Sequence, residues 1–249
     1  MSMEGTKLET PAFESREQVL EALGKKRDLT GADLGGLDLS GVKFLGIAIR
    51  GANLRGADLS SSLLVGVDAS GADLSDAQLT GAKVFATNMA NSVLHGARLS
   101  AARIMGGDLN QADLSNADLS RIRIMRTNLT NSVLQRAKLV GARVVRSSLK
   151  GANLTGADLT DSSLMRVDVT GADLTEVALA GARAGHVDWS TAQASPAETP
   201  KSLPTPPPWL PMLLVSMGIG IVMLVGYRRW YYRARSRSEN QPHQEETLE

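Results

Sequence analysis

The sequence predicts an all-β solenoid, a chain wound into square coils stacked on one another. Three observations predict it. From Leu29 to Trp189 a large or moderate apolar residue stands at every fifth position without one slip. Two residues earlier most units carry a small residue, as in Ala52-Asn53-Leu54, Ala72-Asp73-Leu74 and Ala152-Asn153-Leu154. No proline occurs between Pro11 and Pro196, so all nine prolines fall toward the ends and mark the limits of the repeat. A repeat is read before anything else, because missing one misassigns the whole fold.

The period itself constrains the geometry. On an α-helix a step of five advances about 500°, so the apolar residues would scatter around the axis. In a straight strand five is an odd step, and successive residues would alternate between faces. Only a chain that turns in every unit keeps them all on one side. With Leu as the centre, the residue two places earlier also points inward, and the Asp or Asn between them points out. The remaining two, often Ser or Thr followed by Gly as in Thr30-Gly31, Ser40-Gly41 and Thr80-Gly81, supply the bend. Four units close a square coil of about 20 residues, and coils stack at the strand spacing of about 4.8 Å. Of the 33 central positions 22 are Leu, which makes the predicted interior a set of Leu ladders beside Ala ladders.

The pattern A-(D/N)-L-x-x resembles that of the pentapeptide-repeat proteins. The resemblance covers about two thirds of the sequence, with no insertion or deletion across 161 residues. It implies a right-handed quadrilateral β-helix of about eight coils. Members of this family serve mostly as rigid binding rods, and some quinolone-resistance members bind DNA gyrase by mimicking DNA with an acidic surface. The resemblance implies little about activity.

Composition sets few further bounds. With 27 Lys+Arg against 26 Asp+Glu, net charge selects no class of partner. The absence of cysteine excludes disulfides and thiol chemistry and leaves the redox compartment open. Aromatic residues make up only 4%, as a narrow core of Leu and Ala requires.

In chain order, residues 1–14 form a leading segment without the basic start and apolar run of a secretory signal. Ser15 to Gln18 reads as a capping box, followed by Val19-Leu20-Glu21-Ala22-Leu23 and a stop at Gly24. A helix over about 15–23, within a capping segment 15–27, is expected to cover the open end of the first coil with Val19, Leu20 and Leu23. Lys25, Lys26 and Arg27 are placed to meet its last carbonyls. Repeats follow over 28–190. Residues 191–208 hold most of the prolines and read as a semi-rigid spacer extending about 3.1 Å per residue. Trp209 to Tyr227 is an uncharged run of 19 residues, about 28 Å long as a helix, and reads as a transmembrane segment. Trp209 at one end and Tyr227, Trp230, Tyr231 and Tyr232 at the other match interfacial aromatic belts.

Residues 228–249 form a basic and then polar tail. Arg228, Arg229, Arg233, Arg235 and Arg237 favour a cytoplasmic C-terminus, which would carry the solenoid across the membrane. The missing leader and the late position of the anchor favour the opposite. The expected arrangement is a single-pass tail anchor with a cytoplasmic solenoid, because a folded rod is hard to thread.

No constellation for catalysis is present, so the chain is read as non-enzymatic, without cofactor, metal or small-molecule substrate. His95, His186 and His243 stand singly. Asp33, Asp73, Asp113 and Asp173 stack on one face and read as solvated outward residues, since the calcium-binding nonapeptide of other β-helices is missing.

One face is different. In the units centred on Phe44, Leu64, Val84, Ile104, Ile124, Val144, Leu164 and Ala184, the next residue is Leu45, Val65, Phe85, Met105, Met125, Val145, Met165 and Gly185. The 25 equivalent positions on the other faces hold mostly Ser, Thr, charged or amide residues, so an apolar stripe belongs to this face. Before the centre stand Lys43, Lys83, Arg103, Arg123, Arg143 and Arg183, and Arg126, Arg146 and Arg166 add charge at the corner. A tighter turn that tucks the apolar side chains sideways would explain the stripe locally. But like charges stacked about 4.8 Å apart repel, and a contiguous apolar stripe is unusual on a soluble monomer.

The face is therefore read as a docking surface for a protein with acidic and apolar character. Anionic lipid and a second copy of the chain are further options, and the interleaved apolar residues disfavour nucleic acid. The function expected is a membrane-anchored scaffold or adaptor on a rod about 40 Å long. The alternative, which the family resemblance permits, is a DNA-mimicking inhibitor of a topoisomerase such as DNA gyrase.

Overall fold

Each five-residue unit folds as a short extended stretch ended by a turn whose last residue has positive φ. The structure, a computed structural model, describes residues 12–25 and 28–194, together with Pro196 and the backbone of Lys201 and Ser202. In the first corner Leu29 C=O accepts from Ala32 N at 3.0 Å, and Gly31 between them has φ 69°. That is a type II turn, which needs a left-handed third residue. The same position is left-handed in every unit from residue 31 to 186, and half of these residues are not glycine. Each such residue costs about 1–2 kcal/mol, so the ladder bonds between coils must offset a distributed strain.

Those bonds join each coil to the next, between residues 19 or 21 apart. Leu34 N donates to Asn53 C=O at 2.7 Å, and Asn53 N donates to Ala32 C=O at 2.9 Å. On three faces the pairing is limited to single bridges, such as Asp33 with Asn53 and Asp38 with Asp58. On the fourth, strands of three residues form: β1 (Lys43–Leu45), β2 (Leu63–Val65), β3 (Lys83–Phe85), β4 (Arg103–Met105), β5 (Arg123–Met125), β6 (Arg143–Val145), β7 (Ser163–Met165) and β8 (Arg183–Gly185). They pair in parallel, each with the next. The result is a right-handed solenoid of about seven turns. The expected eighth coil is left incomplete, because Trp189–Thr191 turns into a 3-10 helix capped by Asp188.

The core is the one expected. The central residues from Leu29 to Leu179 and most of those two places before them from Ala32 onward form one continuous buried cluster, with Phe44 and most of the leucines inaccessible to water. Some inward positions hold hydroxyls instead of alanine. Ser92 and Ser132 donate to the carbonyls of Met89 and Leu129 at 2.7 and 2.8 Å. The hydroxyls of Ser62 and Ser162 are buried without a partner.

The ends differ from the expectation in detail. Helix α1 (Arg16–Gly24) starts at Ser15, whose side chain accepts from Gln18 N. Val19 and Ala22 are its buried residues and Leu23 packs partly, whereas Leu20 is exposed at 44%. The face of the helix turned to the coil is thus Val19–Ala22–Leu23, the i, i+3, i+4 set, which leaves Leu20 at its edge. Arg16 ties the helix down by donating to Ser40 C=O at 2.8 Å. Lys25 pairs with the Glu21 carboxylate, not with a carbonyl of the last turn; Lys26 and Arg27 lie outside the described residues. Before the helix, Phe13 N donates to Asp33 C=O at 3.1 Å, so the leading segment already adds a rung to the first coil.

At the other end Ala194 bridges Asp173, and β9 (Lys201–Ser202) pairs with β8. The start of the proline-rich segment therefore closes the solenoid before any spacer begins. Among the described residues no helix is long and apolar enough to cross a membrane, and the segment 209–227 with its flanks lies outside them.

The outward aspartates are more than solvated side chains. Asp33, Asp73 and Asp113 accept from the backbone N–H two residues on, at 3.1, 2.9 and 2.9 Å, and Asp173 does so at 3.0 Å. Each holds the turn that follows it. Leu114→Asp should cost about 4 kcal/mol or more, since a carboxylate enters a dry ladder. Asp113→Ala should cost about 1 kcal/mol, the worth of one turn bond. Thermal denaturation of both variants checks this, and equal losses would reverse the inward and outward assignment.

Candidate functional site

The face carrying β1–β8 is built differently from the other three, and the difference explains its composition. At the other corners a hydrogen bond closes the turn, as between Leu34 C=O and Leu37 N at 3.4 Å or Leu39 C=O and Val42 N at 3.1 Å. Among the described residues no such bond follows β1–β8, so the residue after the centre stays in the strand instead of entering a turn. A turn position favours Ser or Thr; a strand position favours Val, Phe and other bulky side chains. Buried hydroxyls line this wider corner: Thr87, Thr127 and Ser147 donate to the carbonyls of Phe85, Met125 and Val145 at 3.2, 3.1 and 3.1 Å.

Because the strand alternates, the residues on both sides of the centre project outward. Leu45 is 59% exposed, Met105 40%, and Val65 and Met125 37% each. Phe85, Val145 and Met165 are half-buried by their neighbours in the row, and Gly185 is buried. The corner is wider and not tighter, and of the seven apolar side chains four are exposed while three are partly covered. Lys43, Lys83, Arg103, Arg123, Arg143 and Arg183 are exposed along one side of this row, and Arg126, Arg146 and Arg166 along the other.

On the other faces some of the charge is relieved by neighbours. Asn53 Nδ2 donates to Asp33 Oδ1 at 2.7 Å, Asn88 to Asp68 at 3.1 Å and Asn128 to Asp108 at 2.9 Å, so amide and carboxylate alternate up the ladder. Arg50 sits 3.2 Å from Asp68 and 3.8 Å from Asp28, and Arg55 is 3.7 Å from Asp76. On the stripe face Arg103, Arg123 and Arg143 follow one another in direct register. None of its nine basic residues meets an acid among the described residues, and no acidic residue occupies the four positions from before the centre to the corner. The segment 28–194 as a whole holds 16 acidic and 16 basic residues, so the excess is one of placement and not of total charge.

Backbone conformation is what the sequence reading missed. Arg126, Arg146 and Arg166 have φ of 51°, 52° and 54°, and His186 continues the row at 55°. Higher up the same ladder stand Gly46, Gly66, Ala86 and Gly106. The signal was present in the sequence: these arginines occupy the position that glycine fills in half of the units.

Elsewhere the surface offers little chemistry. His95 Nδ1 lies 2.8 Å from Ser115 Oγ. Among the described residues no group of His, Asp or Glu is placed to hold a metal ion. Six of the aspartates that hold turns, among them Asp73 and Asp173, have carboxyls below their usual range. For Asp73, burial works in the opposite direction and is outweighed by the Ser75 hydroxyl and backbone N–H. For Asp173, the Thr175 hydroxyl and N–H dominate. A cleft of about 520 Å³ beside the end of α1 is lined by Leu23, Asp28, Lys43, Leu45 and Ile47, and so opens onto the same face.

Comparison with known proteins agrees with this architecture. The family model described as pentapeptide repeats matches in 8 copies across residues 52–181. No curated protein matches the chain. Among solved structures, HetL, a pentapeptide-repeat protein involved in heterocyst differentiation regulation from the cyanobacterium Nostoc sp. strain PCC 7120, is 27% identical. The match covers 76% of this chain and 100% of that one, with a TM-score of 0.41. Full-length QnrB1, a plasmid-mediated fluoroquinolone resistance protein, is 20% identical over 77% of this chain and 86% of that one, with a TM-score of 0.35. A pentapeptide-repeat protein of the Arabidopsis thaliana thylakoid lumen is 34% identical over 51% of this chain and 68% of that one, with a TM-score of 0.16. With the repeat model matching just over half of its 249 residues, the chain belongs to the pentapeptide-repeat family.

Proposed function

We propose that this chain is a non-enzymatic scaffold, held at a membrane by residues 209–227, that docks a protein partner of acidic and apolar character along the β1–β8 face. Members of the family are generally structural or adaptor proteins. The observation that carries the docking reading is the direct register of Arg103, Arg123 and Arg143 beside an exposed Met and Val row, on a face whose four positions from before the centre to the corner hold no acidic residue. A partner that brings carboxylates and apolar side chains supplies what the face lacks. The anchor rests on the 19 uncharged residues of that segment and the aromatic and arginine flank beyond it. The same proposal places the solenoid in the cytoplasm. The rival reading, a DNA mimic that inhibits a topoisomerase such as DNA gyrase, fits the charge pattern less well. A mimic needs free carboxylates in rows, and here many of them are engaged by turn N–H groups or alternate with Asn.

Two experiments test the proposal. Deleting residues 91–110 removes one whole coil and leaves every face aligned, so partner recovery from solubilised membranes should largely survive. Deleting 111–115 keeps inward positions inward but moves everything downstream round by one face, which cuts the stripe in two. This variant should fold and lose the partner; recovery equal to wild type would show that the stripe is only a packing habit. For the anchor, the full chain should resist carbonate extraction from membranes, and a chain ending at residue 208, which retains β9, should not. Release of the full chain would remove the anchor from the proposal.

A further inference from the structure

The three arginines at the wide corner are not required by the fold. Glycine occupies the same ladder position at 46, 66 and 106, and a side chain added at Gly46 or Gly106 would meet nothing within 4 Å. Each arginine accepts a left-handed backbone that glycine adopts without cost. Three consecutive rungs of exposed arginine beside an exposed apolar row point to a use for the side chains. They turn the C-terminal half of the face into an apolar row, Met105–Met125–Val145–Met165, with a cationic rail on each side. One rail is Arg103, Arg123 and Arg143; the other is Arg126, Arg146 and Arg166.

Resting on the docking function proposed above, we infer that the occupant of this half is an amphipathic α-helix lying along the solenoid axis, with acidic residues on both flanks of its apolar stripe. Dimensions favour this shape. Rungs repeat at about 4.8 Å, and a helix repeats its apolar stripe every 5.4 Å or so. From Met105 to Met165 the row spans about 14 Å, against about 16 Å for three helical turns. A mismatch of roughly 2 Å is within the reach of unbranched, flexible methionine side chains. The rails stand three residues apart, about 10 Å, close to the diameter of a helix with its side chains. An extended peptide in the same direction repeats its side chains at about 6.8 Å and falls out of step within two rungs. A polyphosphate chain would find partners on the rails and none on the methionines. Acidic residues at helix positions flanking an i, i+3, i+4, i+7 stripe meet both rails at once.

The test measures binding of the purified full-length chain to three labelled 18-residue peptides by fluorescence anisotropy. The first places Leu at helical spacing with Glu on both flanks, the second scrambles that sequence, and the third carries a central proline. The protein variant is Arg126→Gly/Arg146→Gly/Arg166→Gly, which relieves the backbone strain and so should melt no lower than wild type. The first peptide should bind at least about tenfold more tightly than the other two, and the triple variant should weaken it by about tenfold. If the proline peptide binds as well as the first and both depend on the arginines, the docking face stands and the helix is overturned. Failure of the first peptide to bind also overturns the helix. If instead phosphatidylglycerol vesicles or duplex DNA bind through the three arginines and no peptide does, the protein-docking function falls with it.

Discussion

Every coil closes because the residue two places after each central side chain adopts a left-handed backbone. This single constraint converts a five-residue period, which neither a helix nor a flat strand can use, into four inward-facing rows. Once the corner is made, Leu and Ala have nowhere to go but inward, and Asp or Asn nowhere but out. The coil-to-coil bonds then follow, since each unit presents its N–H and C=O groups along the axis, as between Leu114 N and Val133 C=O at 2.7 Å. Strain at non-glycine corners is tolerated because the neighbouring coils over-determine the geometry.

One side of the solenoid departs from this frame. Where the closing hydrogen bond is absent, the strand lengthens by a residue and the position after the centre changes from turn to strand. Bulky side chains then replace Ser and Thr, and they project because strand residues alternate. The same solenoid therefore carries three polar faces, in which Asp and Asn hold turns, and one apolar and cationic face. At one end α1 packs on the core and Phe13 adds a rung; at the other, β9 continues the β8 ladder.

Much of the fold was legible because one residue type answers one question. Leu54, Leu74 and Leu114 are inward because nothing else satisfies the period, and the structure buries them. The stripe was legible for the same reason, since Met105 and Met125 break the rule that their position is polar. Three things were less legible. Leu20 was misassigned because an apolar residue at a helix edge carries no sign of which way the helix rolls. The turn-holding role of Asp113 does not show in the sequence, because a turn bond depends on side-chain rotamer and not on residue type alone. The conformation of Arg126 was missed because arginine at a glycine position looks in sequence like a surface charge. The closing role of Lys201 and Ser202 has no signal at all in the repeat pattern; it depends on the last coil offering an unpaired edge to any chain that follows.

The central claim is that the row after each centre faces solvent on one side of a closed solenoid while the centres themselves are dry. Methionine oxidation tests it directly, because the chain carries Met on both sides of that boundary. Met89 is a central residue, 1% exposed, and Met105 and Met125 lie in the outward row. Treating the folded protein with peroxide and reading each site by peptide mass spectrometry should show Met105 and Met125 converted to sulfoxide while Met89 stays reduced. Oxidation of Met89 at the same rate as Met105, or protection of Met105 and Met125 in the free protein, would contradict the account.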